Sequence, residues 1–229
     1  MCFFLYKVFN EYNLDLFILV FVFLVIGDGY ILEKEKGDNI ATIFTQPISR
    51  KKYSIYKFIS SIKIMLVFIC FLVVFIVGLG FLSEGFGEVK FPIIEYVSTK
   101  IQSLEYINII SILEYNIRVL IFLILQGIFI IAIKQFISIF TRIKILQQSL
   151  TALFIILGFI INQILPNYMK HILPFNLLQA SKVANGGVKI IYNMTNQNFY
   201  NSILVIVIFI VLFRILERIF INKKEQLSK

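Results

Sequence analysis

The residues best placed to act on something outside the chain lie between Glu33 and Ser60, in the stretch EKEKGDNIATIFTQPISRKKYSIYKFIS. This is a polar island between two strongly apolar segments, and its chemistry is that of docking rather than bond-making. Asp38 or Asn39 can cap the start of a short helix, and Pro47 stops that helix from running smoothly past Gln46. Within it Ile40, Ile43 and Phe44 fall at i, i+3 and i+4, on one face. Glu33, Glu35 and Asp38 sit at or before its start, where the helix dipole favours negative charge. Two turns of helix are not stable alone in water, so the apolar face needs a surface to cover it. Beyond Pro47 come Arg50, Lys51, Lys52 and Lys57 with Tyr53 and Tyr56 among them, a mixture suited to anionic lipid headgroups.

Bond-making constellations are missing from the sequence. There is no G-x-x-x-x-G-K-[ST] to cradle nucleotide phosphates, so ATP chemistry is not expected in this chain. Gly78-x-Gly80 and Gly85-x-Gly87 read as turns at a membrane edge. Cys2 and Cys70 have no CxxC spacing, and His171 has no second ligand near it, so neither a disulfide nor a metal site is expected. No paired carboxylates or Ser/His/Asp trio stand where substrate and water could meet.

The elements that must position the loop follow from composition. Of 229 residues 59% are hydrophobic and 15% charged, too apolar for one soluble core, so the chain reads as an integral membrane protein. Its net charge of +9 needs no nucleic acid, because Lys and Arg flanking spans give the same sign. About 20 apolar residues cross a bilayer as a helix, and five segments qualify: Leu14–Leu32, Ile62–Leu82, Ile117–Ile137, Gln148–Leu165 and Ser202–Ile221. Helices are required, since lipid leaves no partner for free backbone amides. The fold class is therefore an all-α polytopic membrane protein, one transmembrane domain over residues 1–229.

Fifteen of the 22 basic residues fall in the 33–63 region, the short turn after the third span and the C-terminal tail. The positive-inside rule places loop 33–61, that turn and the C-terminus in the cytoplasm, and loops 83–116 and 167–201 outside. With five spans, residues 1–13 then fall outside. Either a first helix precedes this chain or Met1–Phe9 lies on the membrane surface; a missing first helix is the favoured expectation. In loop 83–116, Val97, Ile101, Leu104 and Ile107 or Ile110 recur at helical spacing and read as a helix lying on the outer leaflet.

Polar residues inside spans are costly, about 2.5–3.5 kcal/mol for a charge at mid-helix. Asp15, Asp28 and Lys63 lie near span ends, and Lys134 about one turn from one; all read as solvated. Gln126 is close to mid-span, and with Asn162 and Gln163 it either bonds a neighbouring helix or lines a wet route. Arg214, Glu217 and Arg218 are spaced to pair locally, though they could also meet a partner subunit.

On the residues alone, loop 33–61 is a basic loop that binds lipid in a non-transporting sensor or assembly protein, or a surface for another subunit. The order membrane helix, Glu33-x-Glu35-x-Gly37, short helix, Pro47-Ile48-Ser49-Arg50, then Lys57 before the next membrane helix resembles the signature of ABC-2-type transporter permeases. The resemblance implies that the five spans correspond to helices two to six of a six-helix permease. It implies that the short helix docks into a separate ATP-binding subunit, with Glu33, Glu35, Gly37, Ile40, Ile43, Phe44, Pro47, Ser49 and Arg50 forming the coupling site. It implies a second permease chain as partner, ATP bound only by the partner subunit, and a bacterial plasma membrane as location. It also implies that Asn167–Asn201 is a partly helical outer segment dipping into the membrane. The expected function is export of peptides, including self-protection against antimicrobial peptides, or of hydrophobic drugs.

Overall fold

A computed structural model describes residues 2–35, 50–84, 90–97, 107–194 and 197–227. The chain is mostly helical: α1 (Cys2–Asn10), α2 (Leu14–Val25), α3 (Gly29–Glu35), α4 (Arg50–Glu84), α5 (Ile112–Ser138), α6 (Lys144–Ile164), the short α7 (Ala180–Ala184) and α8 (Gly187–Tyr192), and α9 (Phe199–Leu227). One antiparallel hairpin, β1 (Pro92–Tyr96) and β2 (Ile107–Ser111), pairs Ile93 with Ile110 and Glu95 with Asn108.

Among the described residues three helices, within α4, α5 and α6, are long and apolar enough to cross a membrane, and the bent pair α1–α2 makes a fourth if it counts as one span. The segment Ser202–Ile221 lies wholly inside α9. Outward faces of α4 and α6 are lined by Val67, Phe71, Val74, Leu153, Ile156 and Ile164, all exposed. Contiguous apolar surface of this extent is a liability in water and ordinary in lipid, which is consistent with a membrane protein.

The bundle is organised around α5. Of its most apolar stretch 61% is buried, against 22% for α4 and for α6, so α5 is the central helix and the others wrap it. It touches α1, α2, α4, α6, α7 and α9. Tyr115, Val119, Phe122, Leu123, Phe129, Ile131 and Ile133 supply the packing, each wholly inaccessible. An aromatic chain runs from Phe154 on α6 through Phe175 and Phe129 to Phe213 on α9, then through Phe136 to Phe220 and Phe140. Neighbouring rings in it are tilted or edge-to-face with centroids 5.1–6.2 Å apart, the arrangement their quadrupoles favour.

Three sequence expectations are corrected. Leu14–Leu32 is not one helix: α2 ends at Val25, Gly27 takes φ +88°, and α3 starts at Gly29. Ahead of it, α1 meets α2 at 68° through Asn13, which is itself left-handed with φ 48°. At its described ends the predicted outer-leaflet helix is strand instead: Val97 follows β1, Ile107 and Ile110 lie on β2, and Ile101 and Leu104 lie outside the described residues. Here helical spacing misled, because Ile93 and Ile110 pair across strands to face the core, where alternation is the period that matters. The second span is longer than expected: helix runs without a break from Arg50, so the basic stretch and the membrane segment are one rod.

Residues 165–194 fold back into the bundle. A 3-10 turn, Pro174–Leu177, is buried and packs on α6 and α9, and α7 packs on α5. Gly158 makes this possible, since a Cβ there would strike the Phe175 ring. Gly158→Leu should therefore unseat Phe175 and lower the thermal midpoint of the purified chain in detergent, an overpacking effect of about 1–3 kcal/mol. Gly127→Ala meets only the flexible end of Met65 and should cost less; equal losses in the two variants would refute the role given to Gly158.

Candidate functional site

Polar side chains gather at the end of the bundle where α3 ends and α4 begins, beside the break between α2 and α3. Where α2 stops, the carbonyls of its last turn lose their helical partners. Lys134, from the last turns of α5, supplies replacements: its Nζ donates to Phe23 O at 2.6 Å and to Ile26 O at 2.8 Å. Its third contact is an ion pair with the Asp28 carboxylate. An ammonium has three donors, and all three are used. Asp28 also meets Lys144 Nζ at 3.0 Å and accepts from Gln148 Nε2 at 3.3 Å. Gln147 donates to Lys134 O at 2.8 Å, so the start of α6 is bound to the same point. Asp28 is 2% exposed and Lys134 0%. The expectation that both are solvated is thus overturned; the helix break beside them gives each a partner that water would otherwise provide. Asp15 is corrected likewise: it is buried at the start of α2, accepting from the Ser181 backbone N–H and from Ser181 Oγ, both at 2.9 Å.

A second group ties α4 to its neighbours. Glu33 on α3 forms an ion pair with Lys57 on α4, spanning the two stems of loop 36–49. One turn earlier on α4, Ser54 hydroxyl donates to buried Glu217 on α9. Glu217 also pairs with Arg214, whose Nη1 donates to Gln135 Oε1 on α5 at 2.8 Å. The Arg214 guanidinium lies over the Phe58 ring at 4.2 Å from its centroid, a cation–π contact. Arg214 and Glu217 thus pair locally, as expected, but within a network that joins three helices. The exposed Arg218 lies one residue further along.

Of the coupling residues expected from sequence, Gly37, Ile40, Ile43, Phe44, Pro47 and Ser49 lie outside the described residues. Glu35 closes α3 and Arg50 opens α4, so the two helices frame the loop. Glu33 is brought to Lys57, and Lys57 is also one of the positions carrying the resemblance. The mid-span polar residues converge elsewhere. Gln126 donates to Leu177 O, Asn162 Nδ2 to Leu173 O at 3.3 Å, and Gln163 Nε2 to Asn176 Oδ1 at 3.0 Å. All three therefore clamp the inserted Leu173–Leu177 segment. Asp28, Lys134, Ser54 and Gln135 were not marked as site residues by sequence. The one available signal was a lysine set into one apolar segment and an aspartate between Gly27 and Gly29 in another.

No protein-family model matches this chain, and no curated protein or solved structure matches it either.

The Lys134 network makes a sharp stability prediction. Lys134→Met strips Asp28 of its buried partner and leaves two carbonyls without a donor, a loss of about 3–5 kcal/mol. Combining it with Asp28→Asn removes the stranded charge and should recover a clear part of that loss. Thermal unfolding of the two single variants and the double in detergent checks this; strictly additive losses would show that the two side chains are not coupled.

Proposed function

We propose that this chain is the membrane-spanning permease subunit of an ATP-driven transporter of the ABC-2 type. It crosses the bacterial plasma membrane five times, through α2–α3, α4, α5, α6 and α9, with loop 33–61 and the C-terminus in the cytoplasm. ATP is bound by a separate subunit, and a second permease chain completes the route. The cargo class is peptides, with hydrophobic drugs as the other candidate.

The observation that carries this reading is the Glu33–Lys57 ion pair across the mouth of the loop. Both stems of the segment bearing the permease-like signature are helical up to the loop and fastened to one another. A displacement of the loop is therefore transmitted to α3 and α4 together. From α4 it passes through Ser54 to Glu217 on α9, and through Arg214 to Gln135 on central α5. A loop that merely rests on lipid has no use for a linkage of this kind. In mechanism, ATP closes the motor subunit, the Asn39–Gln46 helix moves with it, and the stems tilt the spans that line the route.

The decisive experiment is copurification of the chain with an ATPase encoded beside it, in wild type and in Phe44→Asp. The variant places a charge on the docking face and should insert normally while losing both pull-down and transport. Full transport with intact pull-down would defeat the docking claim. A charge exchange tests the transmission separately: Glu33→Lys and Lys57→Glu alone should each weaken coupled transport, whereas the two together restore a large part of it. The pair is about a quarter exposed on each side, so its effect is to be read in coupling rather than in stability. Failure of the double variant to recover would show that the ion pair carries no force.

A further inference from the structure

At the end of the bundle opposite loop 36–49, a cavity of about 430 Å³ opens between α1, β1 and the α7–α8 corner. One wall is a strand edge with unused backbone groups. In an antiparallel pair, successive residues turn their N–H and C=O alternately towards the partner strand and away from it. Tyr96 N–H points away from β2, because it donates to Asn185 O at 2.9 Å. At the other end Phe91 O points towards β2, where it accepts from Ile112 N–H at 2.9 Å. The two observations fix the same phase: Phe91, Ile93 and Glu95 serve the hairpin, and Pro92, Ile94 and Tyr96 face the cavity side. Tyr96 is taken up by Asn185, so the Ile94 N–H and C=O and the Pro92 C=O remain on the open edge.

The rest of the lining suits an extended chain that carries a negative charge. Tyr6, Phe91, Ile190 and Ile191 supply apolar and aromatic contact. Lys182 lines the cavity half-buried, with no acidic partner among the described residues; its one hydrogen bond is to Asn10 Oδ1 at 3.4 Å. Two other cations on this side are engaged. Arg118 pairs with Glu95 and Glu114, and Lys189 donates to Val97 O at 2.9 Å. Burial holds the Lys189 ammonium below its ordinary value, an effect Glu95 partly offsets.

We infer that this cavity is a binding site for a short extended peptide, which adds as a third strand to the open edge of β1 at Ile94 and places a carboxylate on Lys182. Strand addition draws its affinity from main-chain hydrogen bonds and its selectivity from flanking pockets. Ile94 offers one donor and one acceptor side by side, which a peptide backbone matches. A phosphodiester or a fatty carboxylate supplies acceptors only, and a headgroup hydroxyl or ammonium is not held beside an acceptor at strand spacing, so a lipid headgroup is the poorer fit. Asn185 closes the edge beyond Tyr96, so only a peptide end or a short segment can enter. The site depends on the chain alone and stands or falls separately from the permease reading.

The test uses the full chain in phosphatidylcholine nanodiscs and a pool of fluorescein-labelled pentapeptides randomised over Val, Thr, Phe and Ser with a free C-terminus. Fluorescence polarisation should show saturable binding that weakens at least about tenfold with Lys182→Met. The same pool N-methylated at its central amides should not bind, because methylation removes strand donors without touching the protein. Ile94→Pro deletes the edge N–H while leaving the ladder to β2 in place, and should abolish binding; Ile94→Val should preserve it. An amidated pool containing Glu separates a side-chain carboxylate from a terminal one. The proposal is overturned by the absence of saturable binding, by equal binding of the N-methylated pool, or by binding that Ile94→Pro leaves unchanged. Loss of binding on adding phosphatidylglycerol, with Ile94→Pro again without effect, would assign Lys182 to lipid headgroups instead.

Discussion

The constraint beneath this architecture is that a helix cannot stop inside an apolar bundle unless something replaces the hydrogen bonds it gives up. At the end of α2 the replacement is Lys134, which closes the Phe23 and Ile26 carbonyls with one ammonium and balances its own charge on Asp28. Much else follows from that contact. It fixes where the chain turns through Gly27, how α3 leaves the bundle, and where α6 begins, since Lys144, Gln147 and Gln148 all come to the same point. The break between α2 and α3, the central helix and the start of α6 are bound together by charges that hydropathy alone would place in water.

A similar logic governs the inserted segment on the other side. Leu173 to Leu177 has short 3-10 geometry and leaves backbone carbonyls open within the bundle. Gln126, Asn162 and Gln163 meet them or the Asn176 side chain, and Phe175 fills the notch at Gly158. Amides projecting from two membrane-type helices thus act as clamps on a third element. The two sites differ in strength: the one around Lys134 uses buried full charges, the one around Leu173–Leu177 neutral amides, and neutral hydrogen bonds are about half as strong.

Legibility followed the physics of each feature. Long apolar runs are read from composition alone, and α4, α5 and α6 stand where hydropathy put them. The mid-span amides were visible as anomalies, because a polar group in an apolar run demands a partner, though the partner's identity needed three dimensions. The solvated reading of Lys134 and Asp28 failed because distance from the end of an apolar run measures access to water only if the run is one straight helix, and here the chain breaks at Gly27. That of Asp15 failed because Ser181 of α7, distant in sequence, donates to its carboxylate and covers it. The hairpin was missed because Ile-rich segments satisfy both a helical and a strand period, and only pairing between Ile93 and Ile110 decides. The linkage from Ser54 to Glu217 spans 163 positions and leaves no local trace.

The uninterrupted 35 residues of α4 have a geometric consequence. At 1.5 Å per residue the rod is about 52 Å long, whereas hydrocarbon occupies about 30 Å of a bilayer. Upright in a bilayer it would leave about 20 Å beyond the acyl chains, and the contacts at Ser54 and Lys57 both fall near the Arg50 end. No break in the helix separates those two contacts from the apolar stretch, so a displacement imposed on them would reach that stretch with no hinge in between.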